Sequence, residues 1–182
     1  SFDGGQTWSL AGTCVACGVS YSIQVDPTDP STVWVGSMTG VRASYDGGST
    51  WTTNLLAGVA GDRSQVLGLA FHPEKPIRLL AATAEDGVYR SNDGGQVWVQ
   101  SNIGLDTNRI HAVAFAPNNP EVVYLTTHLG IYRSDDGGST WEPRSNGLGY
   151  QFVHAIAIDP RDSDIAYVGT ASELHTLHPT HK

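Results

Sequence analysis

The octapeptide SDDGGSTW, Ser134 to Trp141, sets a large apolar side chain directly behind a polar Asp-Gly-Gly corner. The same arrangement returns as SNDGGQVW at 91–98, SYDGGSTW at 44–51 and SFDGGQTW at 1–8. The closing tryptophans, Trp8, Trp51, Trp98 and Trp141, stand 43, 47 and 43 residues apart. A second landmark keeps this period: SIQVDP, GLAFHP, AVAFAP and AIAIDP end at Pro27, Pro73, Pro117 and Pro160, spaced 46, 44 and 43. Two independent landmarks with one period identify a repeat architecture.

Each period holds four strand signals and no helix signal. In residues 109–144, IHAVAFA alternates, with His111, Val113 and Phe115 on one face and Ala112, Ala114 and Ala116 on the other. NNP turns, VVYLTT is β-rich, HLG turns, IYRS is a short strand, DDGG is a tight turn and TWEPR is the fourth strand. Four antiparallel strands per repeat predict an all-β chain, a β-propeller of about four blades. Blades are expected over about 20–54, 65–101 and 109–145, with a split blade from 1–10 and 152–171 and a tail over 172–182. A small-residue face on one sheet leaves room for Val, Ile and Phe of the next, so the blades should stack.

The octapeptides fall in the hairpin between third and fourth strands. Their glycines permit the positive φ of a tight turn. Asp3, Asp46, Asp93 and Asp136 are placed to accept bonds from the turn's own N–H groups, and the tryptophan should fold back as a lid. The pattern S-x-D-x-G-x-T-W resembles the Asp-box, or bacterial neuraminidase repeat, of sialidases, xyloglucan-active glycoside hydrolases, sortilin-type receptors and photosystem II assembly-factor propellers. Three boxes match in full; the third carries Val97 in place of Thr. The resemblance implies a propeller in which Asp3, Trp8, Asp46, Trp51, Asp93, Trp98, Asp136 and Trp141 are structural and lie away from any active centre.

Composition narrows the function. The chain has 182 residues, 40% hydrophobic and 15% charged, with a formal net charge of -8. An acidic surface repels nucleic acid phosphates, so no nucleic acid partner is expected. No apolar run reaches the ~18 residues of a membrane span. No cofactor and no metal site are expected: Gly-Gly follows each box aspartate, unlike a calcium loop, and Cys14 and Cys17 lack a second pair to complete a zinc site. The histidines of the last segment, His175, His178 and His181, read as part of the tail.

Candidate ligand groups are sought on the rim opposite the boxes, in the loops from fourth to first and from second to third strands. Those loops offer Asp62 and Arg63, Asp106 and Arg109, Glu85 and Asp86, His128, and Tyr150, Gln151 and Phe152. His111 and His154 begin equivalent first strands, where Tyr21 and Leu67 stand in the other repeats. Arg90 and Arg133 precede boxes and read as inter-blade packing and surface pairing. The ligand set is therefore Arg63, Arg109, His111, His128, Tyr150 and His154, with Asp62, Asp106 and Glu85 as candidates for catalysis.

Two functions follow. One is a noncatalytic module binding a protein or glycan through this rim. The other is a fragment of a glycoside hydrolase of sialidase or xyloglucanase type, which would need a carboxylate pair across a sugar cleft. The sialidase Arg-Ile-Pro motif is absent and the rim loops are short, which favours the module. The resemblance implies an extracellular or periplasmic location. The repeats amount to a partial ring, so a homo-oligomer completing the ring is a further expectation.

Overall fold

The computed structural model describes residues 1, 3–10, 12, 18–56, 65–148, 152–170 and, for the backbone alone, 174–177. These residues hold strands and turns and no helix. The strands form four antiparallel sheets in chain order. The first blade contains β1 (Ser20–Val25), β2 (Val33–Ser37) and β3 (Gly40–Ser44). The second contains β4 (Val66–Phe71), β5 (Leu79–Thr83), β6 (Val88–Ser91) and β7 (Val99–Gln100). The third contains β8 (Ile110–Phe115), β9 (Val123–Thr127), β10 (Gly130–Ser134) and β11 (Glu142–Pro143). The fourth contains β12 (Val153–Ile158), β13 (Ala166–Thr170) and β14 (Leu174–Leu177).

Two features depart from the sequence expectation. The strand pattern does not end at Thr170: β14 pairs with β13 from Ala166↔Leu177 to Gly169↔Leu174, inside the stretch read as a tail. A third strand costs little sequence signal, because backbone pairing alone holds it. In the first blade the fourth strand is reduced to two ladder bonds, Thr52 N–H to the Ala43 carbonyl at 2.9 Å and Leu55 N–H to that of Val41 at 2.8 Å.

The blades stack through their faces. First strands of successive blades pack together, β1 on β4, β4 on β8 and β8 on β12, and no comparable packing joins β12 to β1 among the described residues. Three apolar cores lie between the sheets. Trp34, Leu69, Leu79 and Trp98 fill the first, Leu80, Val113, Phe115 and Trp141 the second, and Tyr124, Ile131, Val153 and Val168 the third. At ~1.5–3 kcal/mol per large apolar side chain removed from water, these cores are what hold one sheet to the next. The outer faces of the array stay open: Ile23 on β1 is 66% exposed and Tyr167 on β13 is 41% exposed.

All four boxes build one staple. Ser134 Oγ donates to Asp136 Oδ1 (2.7 Å) and accepts from Gly138 N–H (2.8 Å), while Thr140 gives Asp136 its N–H (2.9 Å) and its hydroxyl (2.7 Å). Ser44 and Asp46 repeat this with Gly48 and Thr50, and Ser1 and Asp3 with Gly5 and Thr7. In the third box Val97 keeps the N–H bond to Asp93 at 2.9 Å but has no hydroxyl to give. The Thr50 hydroxyl and N–H hold the Asp46 carboxyl at about 2. At Asp136 burial opposes ionisation, but the Ser134 and Thr140 bonds outweigh it and leave the carboxyl at about 2. A bond between Gly47, Gly94 or Gly137 N–H and the turn after its own blade's first strand fixes boxes and first turns on one rim.

The tryptophans share the staple but not one environment. Trp51 and Trp98 fold back, each indole N–H donating to its own turn (Gly48 and Gly95 carbonyls, both 3.0 Å). Trp141 instead donates to the Ser101 carbonyl of the preceding blade at 2.8 Å, and the Ser101 hydroxyl donates to the Gly138 carbonyl at 2.6 Å. Trp98 and Trp141 are each 3% exposed, Trp51 is half-buried, and Trp8 is 81% exposed. The lid reading therefore needs correcting for Trp8. Trp98 and Trp141 are each covered by the preceding blade, whose core they enter, and Trp8 enters none of the three cores.

Gly95 carries the inter-blade fit. Its φ is +79°, and a Cβ there would lie 2.2 Å from Trp34 Cη2 on β2 of the preceding blade. Gly94, at φ +72°, has open space around it. Gly94→Ala is expected to cost about 1 kcal/mol of left-handed strain. Gly95→Ala should cost about 3 kcal/mol or more, since a clash with a packed indole adds to the strain. Urea melts of both variants check this; equal losses would contradict the packing.

Candidate functional site

The rim opposite the boxes is organised by four bulges. In each first strand the register slips by one residue: between Ser20 and Ser22, Val66 and Gly68, Ile110 and Ala112, and Val153 and Ala155. The unpaired residues are Tyr21, Leu67, His111 and His154, the four positions equivalent in sequence. A bulge bends its strand and re-aims the side chain it carries. Four of them at one level turn a row of side chains toward the same end of the array.

In the third and fourth blades that row becomes a stack of rings. The His111 and His154 imidazoles lie 5.0 Å apart, centroid to centroid, and 12° from parallel. Phe152 continues the stack on His154 at 6.4 Å and 11°. His128, from the β9–β10 turn, lies 6.4 Å from Phe152 at 34°. Aromatic rings at these separations attract beyond the area they bury. Phe152 is 56% exposed, and His154 is exposed, so the stack presents a face to solvent.

The polar groups beneath the rings fix their orientation. His111 Nδ1 lies 2.9 Å from the Val153 carbonyl. A carbonyl only accepts, so Nδ1 carries the proton and donates, leaving Nε2 of the neutral ring with its lone pair. Burial pushes the His111 imidazole below its ordinary value; the bond to Val153 opposes this, and the neighbouring His154, His128 and Arg109 add to it. Thr107 Oγ1 stands 3.4 Å from His128 Nδ1 and accepts the Arg109 N–H at 3.1 Å, which ties the loop before β8 to the β9–β10 turn. The β5–β6 turn joins the same corner, with Gly87 N–H donating to the Asn108 carbonyl at 2.9 Å.

Of the groups expected from sequence, His111, His128 and His154 come together, with Arg109 acting on His111. The carboxylates Asp106 and Glu85 stand on two separate loops. Asp106 receives the Tyr132 hydroxyl at 3.4 Å, and Glu85 sits exposed in the β5–β6 turn. No hydrogen bond or ion pair joins these two among the described residues. Asp62, Arg63, Tyr150, Cys14, Cys17, His178 and His181 lie outside the described residues, and His175 falls on β14. Among the described residues, no group of three His, Cys, Asp or Glu side chains is placed to hold a metal ion. Arg133 spans blades, reaching Asp164 from β10 and lying 5.5 Å over the Tyr124 ring, and Arg90 reaches Ser139 of the next box. The bulges carry no signal in one sequence; the equivalence of Tyr21, Leu67, His111 and His154 is the nearest hint. Phe152, offered by its loop, joins the rings beside His154 and His128.

The model of the BNR/Asp-box repeat matches residues 1–10 and 132–143. The chain has a β-propeller fold and carries Asp-box repeats. An ancestral GH74 enzyme shares its fold at a TM-score of 0.66 and 19% identity, over 87% of this chain and 25% of that one. The GH74 enzyme of Niastella koreensis aligns at 0.63 and 21%, over 84% and 26%. YCF48, solved bound to a D1 peptide, aligns at 0.64 and 19%, over 91% and 53%. A propeller of the COPII outer coat vertex on membranes aligns at 0.69 and 11%, over 89% and 47%. This Asp-box chain thus spans between a quarter and about half of the length of these proteins. No curated protein sequence matches it, and no described helix is long and apolar enough to cross a membrane.

The His111 titration tests the geometry. A folded-state value below the unfolded one, near 6.5, contributes stability above about pH 6.5 that is lost as pH falls through the folded value. The melting temperature of this propeller should therefore decline on acidification from about pH 7 to about pH 5. His72, buried and also pushed down, shares in that decline. His111→Leu should flatten part of the slope; an unchanged slope would place His111 in solvent.

Proposed function

We propose that this propeller is a noncatalytic module that binds a protein or glycan through the rim opposite its Asp boxes. The observation that carries the reading is the ring stack His111–His154–Phe152–His128, set on two backbone bulges and facing solvent. Bulges that re-aim side chains, and aromatic rings left exposed above satisfied polar groups, are features of a recognition surface rather than of a core. The ring stack itself contains no carboxylate, whereas glycoside hydrolysis needs two carboxyl groups flanking one bond. The likeness to YCF48 with its peptide makes a protein ligand as natural as a glycan.

The test is a glycan array and a peptide array probed in parallel, with turnover of 4-methylumbelliferyl glycosides measured on the same preparation. Binding should appear without turnover, and Phe152→Ala should weaken it about tenfold with an unchanged melting temperature. Turnover lost on Asp106→Asn or Glu85→Gln would overturn the reading in favour of the hydrolase fragment.

A further inference from the structure

The ring stack has a charge character opposite to that of the chain. Across 182 residues the formal net charge is -8. Yet basic side chains gather around His111: His154 on β12, His128 in the β9–β10 turn and Arg109 just before β8. The acidic groups on neighbouring elements are Asp106 in the loop before β8 and Glu85 and Asp86 in the β5–β6 turn. Asp106 is turned toward Tyr132, and Asp86 lies in a turn closed by its N–H to Thr83 Oγ1 at 2.9 Å. Three imidazoles and one guanidinium therefore share a corner with a flat, half-exposed phenyl ring.

Resting on the reading of the rim as a binding surface, we propose that its ligand is a carboxylate-bearing sugar chain, a polyuronate. The chemistry fits in two parts. The Phe152 ring, backed by the nearly parallel His154 ring, offers a flat apolar face of the kind that a pyranose ring covers with its C–H groups. The carboxylate then falls among Arg109, His154 and His128, whose N–H groups can donate to it. An imidazole that gains a carboxylate neighbour gains a proton more easily, so binding and protonation favour each other. The His111 Nε2 lone pair remains available to accept from a sugar hydroxyl while that ring is neutral. A neutral glycan uses the ring face alone, and an acidic peptide the cations alone; the corner supplies both.

Titration calorimetry of the full chain decides this, with an oligogalacturonate, an uncharged cello-oligosaccharide of equal length and an oligoglutamate peptide as probes. The oligogalacturonate should bind tightest. Its affinity should rise about fivefold from about pH 8 to about pH 5.5, with net proton uptake. His154→Gln and Arg109→Gln, both at exposed positions, should each weaken the oligogalacturonate about tenfold and leave the melting temperature unchanged. Phe152→Ala should weaken it comparably. Equal, pH-independent binding of the charged and uncharged sugars, lost on Phe152→Ala, would overturn the polyuronate and leave the rim as the binding surface. Preference for the peptide would do the same. Failure of all three probes on the native chain would overturn the polyuronate; loss of array binding in Phe152→Ala would then still uphold the rim, and its persistence would remove that too.

Discussion

Two glycine corners of this propeller close against a sheet that they do not belong to. Gly95 faces Trp34, and Gly138 faces Leu80, both on the second strand of the preceding blade. The Ser–Asp–Thr staple shapes the corner from within one hairpin, but the absent Cβ is what lets the next sheet approach. Two requirements thus meet in one tripeptide. The first is local, a carboxylate satisfied by hydroxyls and amides. The second is long-range, an indole buried against a neighbour. The N-terminal box separates them: its staple is complete although Trp8 stands in solvent. The staple is therefore autonomous, and the lid is a property of the array.

The same logic orders the faces. Small residues on one sheet admit large ones from the next, which is why Gly68 meets the backbone of β8 and why Gly36 meets Val66 and Leu69. At the outer faces this complementarity is left unspent. Ile23 on one side and Tyr167 on the other occupy positions equivalent to Leu69 and Leu80, which are buried. These faces have the chemistry of a blade interface.

The boxes and the first-strand prolines were legible because each repeats a local demand: positive φ, an accepting carboxylate, a fixed proline turn. The alternation of Val113 and Phe115 against Ala116 was legible for the same reason, and the two sets do enter different cores. What escaped the sequence depends on neighbours. A bulge at His154 is one unpaired residue, invisible until the partner strand is laid beside it. The stack of His111 on His154 joins residues 43 positions apart in chain but adjacent across two blades. β14 was missed because pairing with β13 needs only backbone groups. Substitution can also hide a role. His72 takes the place of the turn aspartates Asp26 and Asp159, its Nδ1 accepting the N–H groups of Glu74 and Lys75 at 3.2 and 3.1 Å.

That the tryptophan lid belongs to the array rather than to the hairpin is the claim on which the rest leans. Hydrogen exchange of the four indole N–H groups, followed by NMR, tests it directly. Trp98 and Trp141 should exchange as slowly as the blade cores, Trp51 faster, and Trp8 at the rate of a solvent-exposed indole. Equal protection of all four would mean that each box shelters its own indole, and the inter-blade account would be wrong.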